Sequence, residues 1–299
     1  MWNGIPFSQE PIGRAECVIP DFLSVCSKTP PVDTVHIPVL IKKFIILSEG
    51  VDSRKYYMKI LQRYLLADKL HCPYLIPLLT SFRELHITQF NKQFGVFVMP
   101  FYEKGDLSMW ITSPNIKPSD LFHVLICVLK GLEALISKGL VHCDIKPQNI
   151  LIDDAGNGIL CDFEGIVDNM GKNLRKTMDL VCFLYVAPEL KVTENPHPTH
   201  KSDMYSFGAM LKIDIKEYFW KYLHRPYPQI LHDIEVKCCD DNPANRPDAH
   251  DVLEWICSDI GFREKRYDKF DDESSDKKED KCDEVSAETE EEKMEEDEL

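Results

Sequence analysis

Three features are missing from this sequence of 299 residues, and each absence excludes a class of protein. No run of apolar residues reaches the length of about eighteen that a membrane-spanning helix needs. The opening residues, MWNGIPFSQEP, contain no apolar core of a secretory signal. Basic residues are nowhere clustered with aromatic ones, as a nucleic-acid-binding surface requires. We therefore expect a protein that binds neither membranes nor nucleic acids.

The 11 cysteines also lack the spacing of a disulfide framework or a zinc site. Their number is odd, and the close pair Cys238 and Cys239 is adjacent, which suits neither a C-x-x-C knuckle nor a ring of metal ligands. Free thiols in a reducing compartment are the better interpretation. The expected location is the cytoplasm, with the nucleus as the alternative.

Charge is distributed unevenly along the chain, whose formal net charge is −15. Residues 268–299, the acidic segment, contain 17 acids and 5 lysines, whereas residues 1–267 contain 33 acids and 30 bases. The acidic segment has almost no large apolar side chains, so we expect it to be disordered, because burial cannot offset the entropy lost on ordering. A solubilising tail is the simpler interpretation, and a docking segment for a basic partner is the alternative.

Hydrophobic patterns divide residues 1–267 into a strand-rich first third and a helix-rich part that follows it. HIPVLIKKFIIL and FGVFVMPF are typical of strands, and DSRKYYMKILQRYLLADKL between them is typical of a helix. The apolar residues at helical spacing there are Tyr57, Ile60, Leu61, Tyr64 and Leu65. From Pro118 onward helices dominate, the first with Ser119 as its expected N-cap and its end at Gly139. This order predicts an α+β fold with two lobes.

The stretch VHCDIKPQNILID, residues 141–153, contains polar groups between two apolar ends. Pro147 prevents a regular helix or strand there. A polar surface turn would be the ordinary interpretation, so the neighbouring motifs decide. His142, Asp144 and Asn149 match H-x-D-x-x-x-x-N, and CDFEG, VAPEL and KSDMYSFG follow in that order, with VLIK far upstream.

Taken together, these motifs resemble those of the eukaryotic-type serine/threonine protein kinases, over roughly residues 12 to 260. The resemblance implies a β-rich N-terminal lobe at residues 1–99, a helical C-terminal lobe with the hinge at 100–263, and an acidic disordered tail at 264–299. It also implies ATP and magnesium as cofactors and a protein Ser or Thr hydroxyl as acceptor.

By the same resemblance, five residues have roles in phosphoryl transfer. Asp144 would accept the proton of the substrate hydroxyl, and Asn149 and Asp162 would hold magnesium against the phosphates. Lys146 would contact the γ-phosphate, and Lys42 the α- and β-phosphates.

The adenosine part of ATP would bind at the hinge, FVMPFYEKGDL. Met99 resembles the residue before the hinge, Pro100, Phe101 and Tyr102 its connecting backbone, and Asp106 the acid near the ribose. Three further matches have structural roles in the family. Glu189 and Arg246 match a buried ion pair of the C-terminal lobe, and Asp203 matches the residue that anchors the catalytic loop.

The chain departs from the family at the phosphate-binding loop. In IGRAECVI the three glycine positions are Gly13, Ala15 and Val18, so only Gly13 remains to approach the phosphates closely. A plain strand is the alternative for this segment.

A second departure concerns the helix after Lys42, which should supply a glutamate to pair with it. The expected position is Arg63, and no acid lies between residues 54 and 67. Arg63 would repel Lys42 if it pointed inward. Cys143 replaces the arginine of H-R-D, and Glu164 replaces the glycine of D-F-G.

Two functions remain open at this point. An active serine/threonine kinase is favoured because the proton acceptor and both metal ligands are present. A pseudokinase that serves as a nucleotide-binding or scaffold module is the alternative, because the loop glycines and the glutamate are missing.

Overall fold

A computed structural model of the chain describes residues 15–18, 36–46, 51–85, 93–113, 115–168, 182–191 and 197–259. Gly13 and the acidic segment lie outside these stretches, and the predictions about them stay predictions. The chain divides into two units, Met1–Ile256 and Cys257–Leu299, and the sheets and the candidate site lie in the first. Within the described stretches, no helix combines the length and apolar character needed to cross a membrane.

The N-terminal lobe consists of an antiparallel four-stranded sheet and one helix. The strands lie in the order β1-β2-β4-β3, and the helix follows β2 in the chain. Their bounds are β1 (Ala15–Val18), β2 (His36–Ile46), α1 (Val51–Asp68), β3 (Thr80–Leu85) and β4 (Gln93–Pro100). The expected strands and helix of this lobe are confirmed, and Ala15 and Val18 belong to a strand.

Helix α1 packs against the sheet through one apolar stripe. The buried residues of this stripe are Tyr57, Ile60, Tyr64 and Ala67. The rings of Tyr57 and Tyr64 lie 5.6 and 4.9 Å from the ring of Phe97 on β4. Leu65, one of the apolar residues at helical spacing, is 43% exposed and lies outside this stripe.

The C-terminal lobe is mainly helical. Its helices are α2 (Leu107–Trp110), α3 (Pro118–Ile136), α4 (Pro188–Lys191), α5 (His200–Met210), α6 (Lys216–Lys221), α7 (Gln229–Cys238) and α8 (residues 249–259). One π-helical turn, Leu211–Ile215, joins α5 to α6. Helix α3 lies at the centre of the lobe with ten buried residues, which explains its nearly continuous apolar sequence.

The N-terminus of α3 differs from the prediction. The helix begins at Pro118 with Lys117 as its N-cap, so Ser119 is already inside the first turn. Proline at the first position supplies the helical φ, and the Asp120 carboxylate accepts the Lys117 N–H at 3.0 Å. The helix ends at Ile136, and Gly139 follows with a left-handed φ of 65°.

Two short antiparallel pairs position the loop that contains the H-x-D-x-x-x-x-N motif. Strand β5 (Leu140–Val141) pairs with β8 (Val167–Asp168), and β6 (Ile150–Ile152) pairs with β7 (Gly158–Leu160). The loop 142–149 runs from β5 to β6, and Asp162 follows β7. The α+β prediction is confirmed.

Candidate active site

The loop 142–149 is anchored by a carboxylate from α5. Asp203 is buried, and its two oxygens accept the N–H groups of His142 (2.7 Å) and Cys143 (2.8 Å). Cys143 has a left-handed φ of 69°, which is unfavourable for a residue with a side chain. The two bonds to Asp203 therefore hold a conformation that the loop would not adopt alone, and the predicted anchoring role of Asp203 is confirmed.

The imidazole of His142 connects this loop to the end of β7. The ring is fully buried, its Nε2–H donates to the Cys161 carbonyl at 3.0 Å, and the Asp144 N–H donates to its Nδ1 at 3.3 Å. A carbonyl oxygen only accepts, so the proton lies on Nε2 and Nδ1 is the acceptor. His142 therefore orients Asp144 and the strand end that precedes Asp162.

Asp144, Lys146 and Asn149 form one cluster. The Lys146 Nζ lies 3.0 and 3.1 Å from the two carboxylate oxygens of Asp144. The Asn149 Nδ2 donates to the Asp144 carbonyl at 2.8 Å and to its Oδ2 at 2.9 Å. The side chains of Asp144 and Lys146 are only 13% and 14% exposed, so a carboxylate, an ammonium group and an amide share a small volume screened from water.

Asp162 lies beside this cluster. The Cys161 N–H donates to the Asn149 carbonyl at 2.9 Å, which ties the residue before Asp162 to the end of the loop. Asp162 itself is left-handed, with φ 64° and ψ 66°, and a 3-10 turn, Phe163–Gly165, follows it. Strained backbone of this kind is maintained where the surrounding structure requires it, often at functional sites.

The donor atoms at this place fit magnesium. Both N–H groups of the Asn149 amide face oxygens of Asp144, which leaves its Oδ1 as an acceptor alongside the Asp162 carboxylate. Magnesium in proteins is usually held by one or two carboxylates together with phosphate oxygens and water. In the described stretches no group of three or more His, Cys, Asp or Glu could hold a metal by itself.

Comparison with known proteins gives the family. The protein kinase domain model matches residues 38–222, which is more than half of the chain. The chain belongs to the protein kinase family. The predicted resemblance is thereby confirmed, and the site described above lies within the matched range.

Individual relatives are also kinases. The chain is 32% identical over 130 residues to MAP kinase kinase mkk-4 of Caenorhabditis elegans, covering 43% of this chain and 34% of that one. It is 27% identical over 180 residues to human receptor-interacting serine/threonine-protein kinase 1, covering 54% and 25%. NUAK family SNF1-like kinase 2 of Rattus norvegicus is 30% identical over 201 residues, with coverage of 63% and 30%. The matched part thus spans between a quarter and about a third of each relative.

The hinge of this kinase connects the last strand of the N-terminal lobe to α2. Met99 and Pro100 end β4, with Met99 buried, and Phe101 and Tyr102 follow outside regular structure. Burial, with smaller contributions from the neighbouring Asp153 and Cys161, raises the pKa of the Tyr102 hydroxyl to about 12, so Tyr102 stays neutral. The adenine-binding role of these residues stays a prediction.

Asp106 has a structural role that was not anticipated from the sequence. It is the N-cap of α2, and its Oδ1 accepts the Met109 N–H at 3.1 Å and the Ser108 hydroxyl proton. Contact with a ribose stays a prediction for this carboxylate.

Lys42 lies on β2, directly opposite Phe97 of β4 in the ladder. Its side chain is outside the described part of the structure, as is Gly13, so the phosphate contacts assigned to both stay predictions.

The ion pair predicted for the C-terminal lobe is confirmed. The Arg246 Nη1 and Nη2 donate to the two carboxylate oxygens of Glu189, both at 2.8 Å.

Arg63 is the residue whose contact sequence reasoning missed. It points inward, is 8% exposed, and its Nη1 donates to the carbonyl oxygen of Glu164. A signal was present, because Arg63 lies at helical spacing with the buried Ile60, Tyr64 and Ala67 and so belongs to the inward stripe of α1.

Proposed function

We propose that this member of the protein kinase family is an active serine/threonine kinase, which transfers the γ-phosphate of ATP to Ser or Thr hydroxyls of a protein. The observation that carries the proposal is the cluster of Asp144, Lys146 and Asn149 beside Asp162. A scaffold protein has no chemical need for a screened carboxylate held at hydrogen-bond distance from both an ammonium group and an amide.

Each side chain of the cluster has a distinct task in this proposal. The Asp144 carboxylate orients the acceptor hydroxyl and receives its proton, while the Lys146 ammonium group balances negative charge on the γ-phosphate. Asn149 Oδ1 and the Asp162 carboxylate hold magnesium, which neutralises charge on the phosphates when bound. The chain itself contributes positioning and electrostatics, which are the main sources of catalysis in phosphoryl transfer.

Two observations support Ser and Thr as acceptors. Lys146 stands two residues after Asp144, as in the serine/threonine members that this chain resembles. One relative is itself named a serine/threonine-protein kinase. The match covers only a quarter of that relative, so its protein substrates are not carried over to this chain. The proposal therefore names only the hydroxyl group that accepts the phosphate.

The second candidate is a nucleotide-binding pseudokinase. It is favoured by Arg63, which stands where a partner of Lys42 is expected, and by Glu164 in place of the D-F-G glycine. A pseudokinase would bind Mg-ATP and transfer no phosphate.

The variant Asp144→Asn separates the two candidates. Asparagine keeps the size of the side chain but cannot receive the proton, so transfer should fall by about a hundred- to ten-thousand-fold while ATP binding persists. The measurement is radiolabel transfer from ATP to the protein itself and to Ser, Thr and Tyr peptides. Asp154→Asn, in the exposed turn between β6 and β7, is the matched control and should transfer normally.

Two outcomes would count against the proposal. Wild-type protein that binds Mg-ATP but labels neither itself nor any peptide would favour the pseudokinase. Label on tyrosine alone would contradict the serine/threonine assignment.

A further inference from the structure

Arg63 is a buried cation in the N-terminal lobe. It projects from the stripe of α1 that packs on the sheet, between Ile60 and Tyr64. A guanidinium group removed from water is costly unless its N–H groups are hydrogen-bonded. The hydrogen bond made by Arg63 is therefore needed for α1 to pack with this side chain buried.

The Arg63 contact reaches the turn that follows Asp162. The acceptor is the main-chain carbonyl of Glu164, in the middle of the 3-10 turn Phe163–Gly165. Because the acceptor is a main-chain oxygen, the bond restrains the backbone of the turn itself, whichever side chain stands at position 164. Burial, above all, and the charge of Asp203 raise the pKa of the Cys143 thiol in the loop 142–149, and the charge of Arg63 opposes them.

Tyr64, the next residue of α1, contacts the same turn. Its ring lies 5.3 Å from the ring of Phe163, which in turn lies 5.7 Å from the imidazole of His142. Consecutive residues of α1 thus hold the two residues after Asp162. This matters because the left-handed backbone of Asp162 is strained and needs surrounding contacts to remain so.

We propose that Arg63 is a positioning residue that holds the Asp162 carboxylate in its metal-binding orientation, through its hydrogen bond to the Glu164 carbonyl. Helix α1 has no acid between residues 54 and 67 to pair with Lys42, so in this chain it is joined to the magnesium site through Arg63 instead. The inference rests on the proposed magnesium role of Asp162 but not on phosphoryl transfer.

The first test measures magnesium affinity by titrating the protein with ADP, with and without magnesium, in a calorimeter. Arg63→Met should weaken the magnesium-dependent part of ADP binding by about 10- to 100-fold, the usual effect of losing a charge-assisted hydrogen bond, and leave magnesium-free binding unchanged. Gln62→Met, an exposed neighbour on α1, is the matched control and should match wild type. Arg63→Lys keeps a donor without the planar fork, so its loss should lie between wild type and Arg63→Met.

The second test needs no nucleotide. The Ile166 N–H donates to the Phe163 carbonyl at 3.3 Å within the turn, and its hydrogen exchange should accelerate in Arg63→Met while amides of α5 keep their rates. A role in folding alone would lower the unfolding midpoint and change neither magnesium affinity nor exchange at Ile166.

Unchanged magnesium dependence together with unchanged exchange at Ile166 in Arg63→Met would overturn the proposal. If that variant does not fold, the same two results in Arg63→Lys would overturn it. Failure of the proposed function would look different. Arg63→Met would then still change magnesium affinity and exchange at Ile166, but the wild-type protein would transfer no phosphate.

Discussion

At the scale of single residues, a few buried polar groups determine the geometry of the site. Asp203 accepts two main-chain N–H groups of the loop 142–149, and His142 joins that loop to the end of β7. Burial raises the pKa of the Asp203 carboxyl to about 7, although both backbone bonds favour its charged form. The residue that anchors the loop is therefore also one that titrates near neutral pH.

This pKa gives a pH dependence to stability. The ordinary pKa of an aspartate is 3.8, so between about pH 4 and 7 the folded state holds a proton that the unfolded state has lost. The stability contributed by the protonated carboxyl is complete below pH 4 and is lost as the pH rises through 7. Since an asparagine side chain remains neutral at every pH, the stability of wild type relative to Asp203→Asn should decline by about 1–3 kcal/mol from pH 5 to 8.

Urea unfolding of both proteins at several pH values measures this difference. Asp154→Asn, at an exposed turn, should show no such trend against wild type. A wild-type advantage that grows with pH would mean that the charged form of Asp203 is the stabilising one.

At the scale of secondary structure, two buried contacts join elements that are distant in the chain. Arg63 links α1 to the turn Phe163–Gly165, and Arg246 links the segment before α8 to Glu189 of α4. Arg246 is fully buried and also donates to three main-chain carbonyls, those of Asp240, Lys201 and Asp241. Such groups are costly to desolvate, so their value depends on every partner being present.

Removal of Glu189 should therefore be strongly destabilising. Glu189→Ala leaves a buried guanidinium without its carboxylate, and we expect a loss of about 3 kcal/mol, or about 6–12 °C in the unfolding midpoint. The matched control is Glu254→Ala, which removes an exposed partner of His250 at 3.5 Å and should change stability little. Equal losses in the two variants, measured by thermal unfolding, would contradict this account.

At the scale of the whole molecule, charge and burial are separated along the chain. Residues 1–267 are close to neutral, and the remaining residues carry most of the net negative charge. The two-lobed body contains the candidate site, since the loop 142–149, the proposed metal ligands Asn149 and Asp162, and helix α1 all belong to the unit Met1–Ile256. Nothing in the composition of residues 264–299 would add a comparable core.

Truncation after residue 263 tests this separation. Because residues 264–299 have few large apolar side chains, their removal should change neither the midpoint nor the urea m-value, which scales with the surface exposed on unfolding. The comparison is urea unfolding of the full chain and the shortened chain at the same ionic strength. A lower m-value in the shortened chain would indicate that these residues bury surface in the native state.

The amino-acid sequence by itself determined the fold class, the family and the members of the candidate site. His142, Asp144 and Asn149 lie within eight residues, and such local spacing is visible without coordinates. Strand and helix patterns were predictable for the same reason, because periodicity is a property of neighbouring residues. The cap of α3 was wrong by two residues, since Pro118 and Asp120 together shift the start to Lys117.

Only the tertiary structure decided which groups meet across the chain. The Arg63 contact spans 101 residues and the His142–Asp203 bond spans 61, and no local pattern specifies either partner. Gly95 is another case, because a Cβ there would lie 2.2 Å from the ring of Tyr57, a demand that exists only once α1 is packed on β4. Local spacing can name the residues of a site, but their orientation depends on long-range packing, because a side chain is held by whatever the folded chain brings against it.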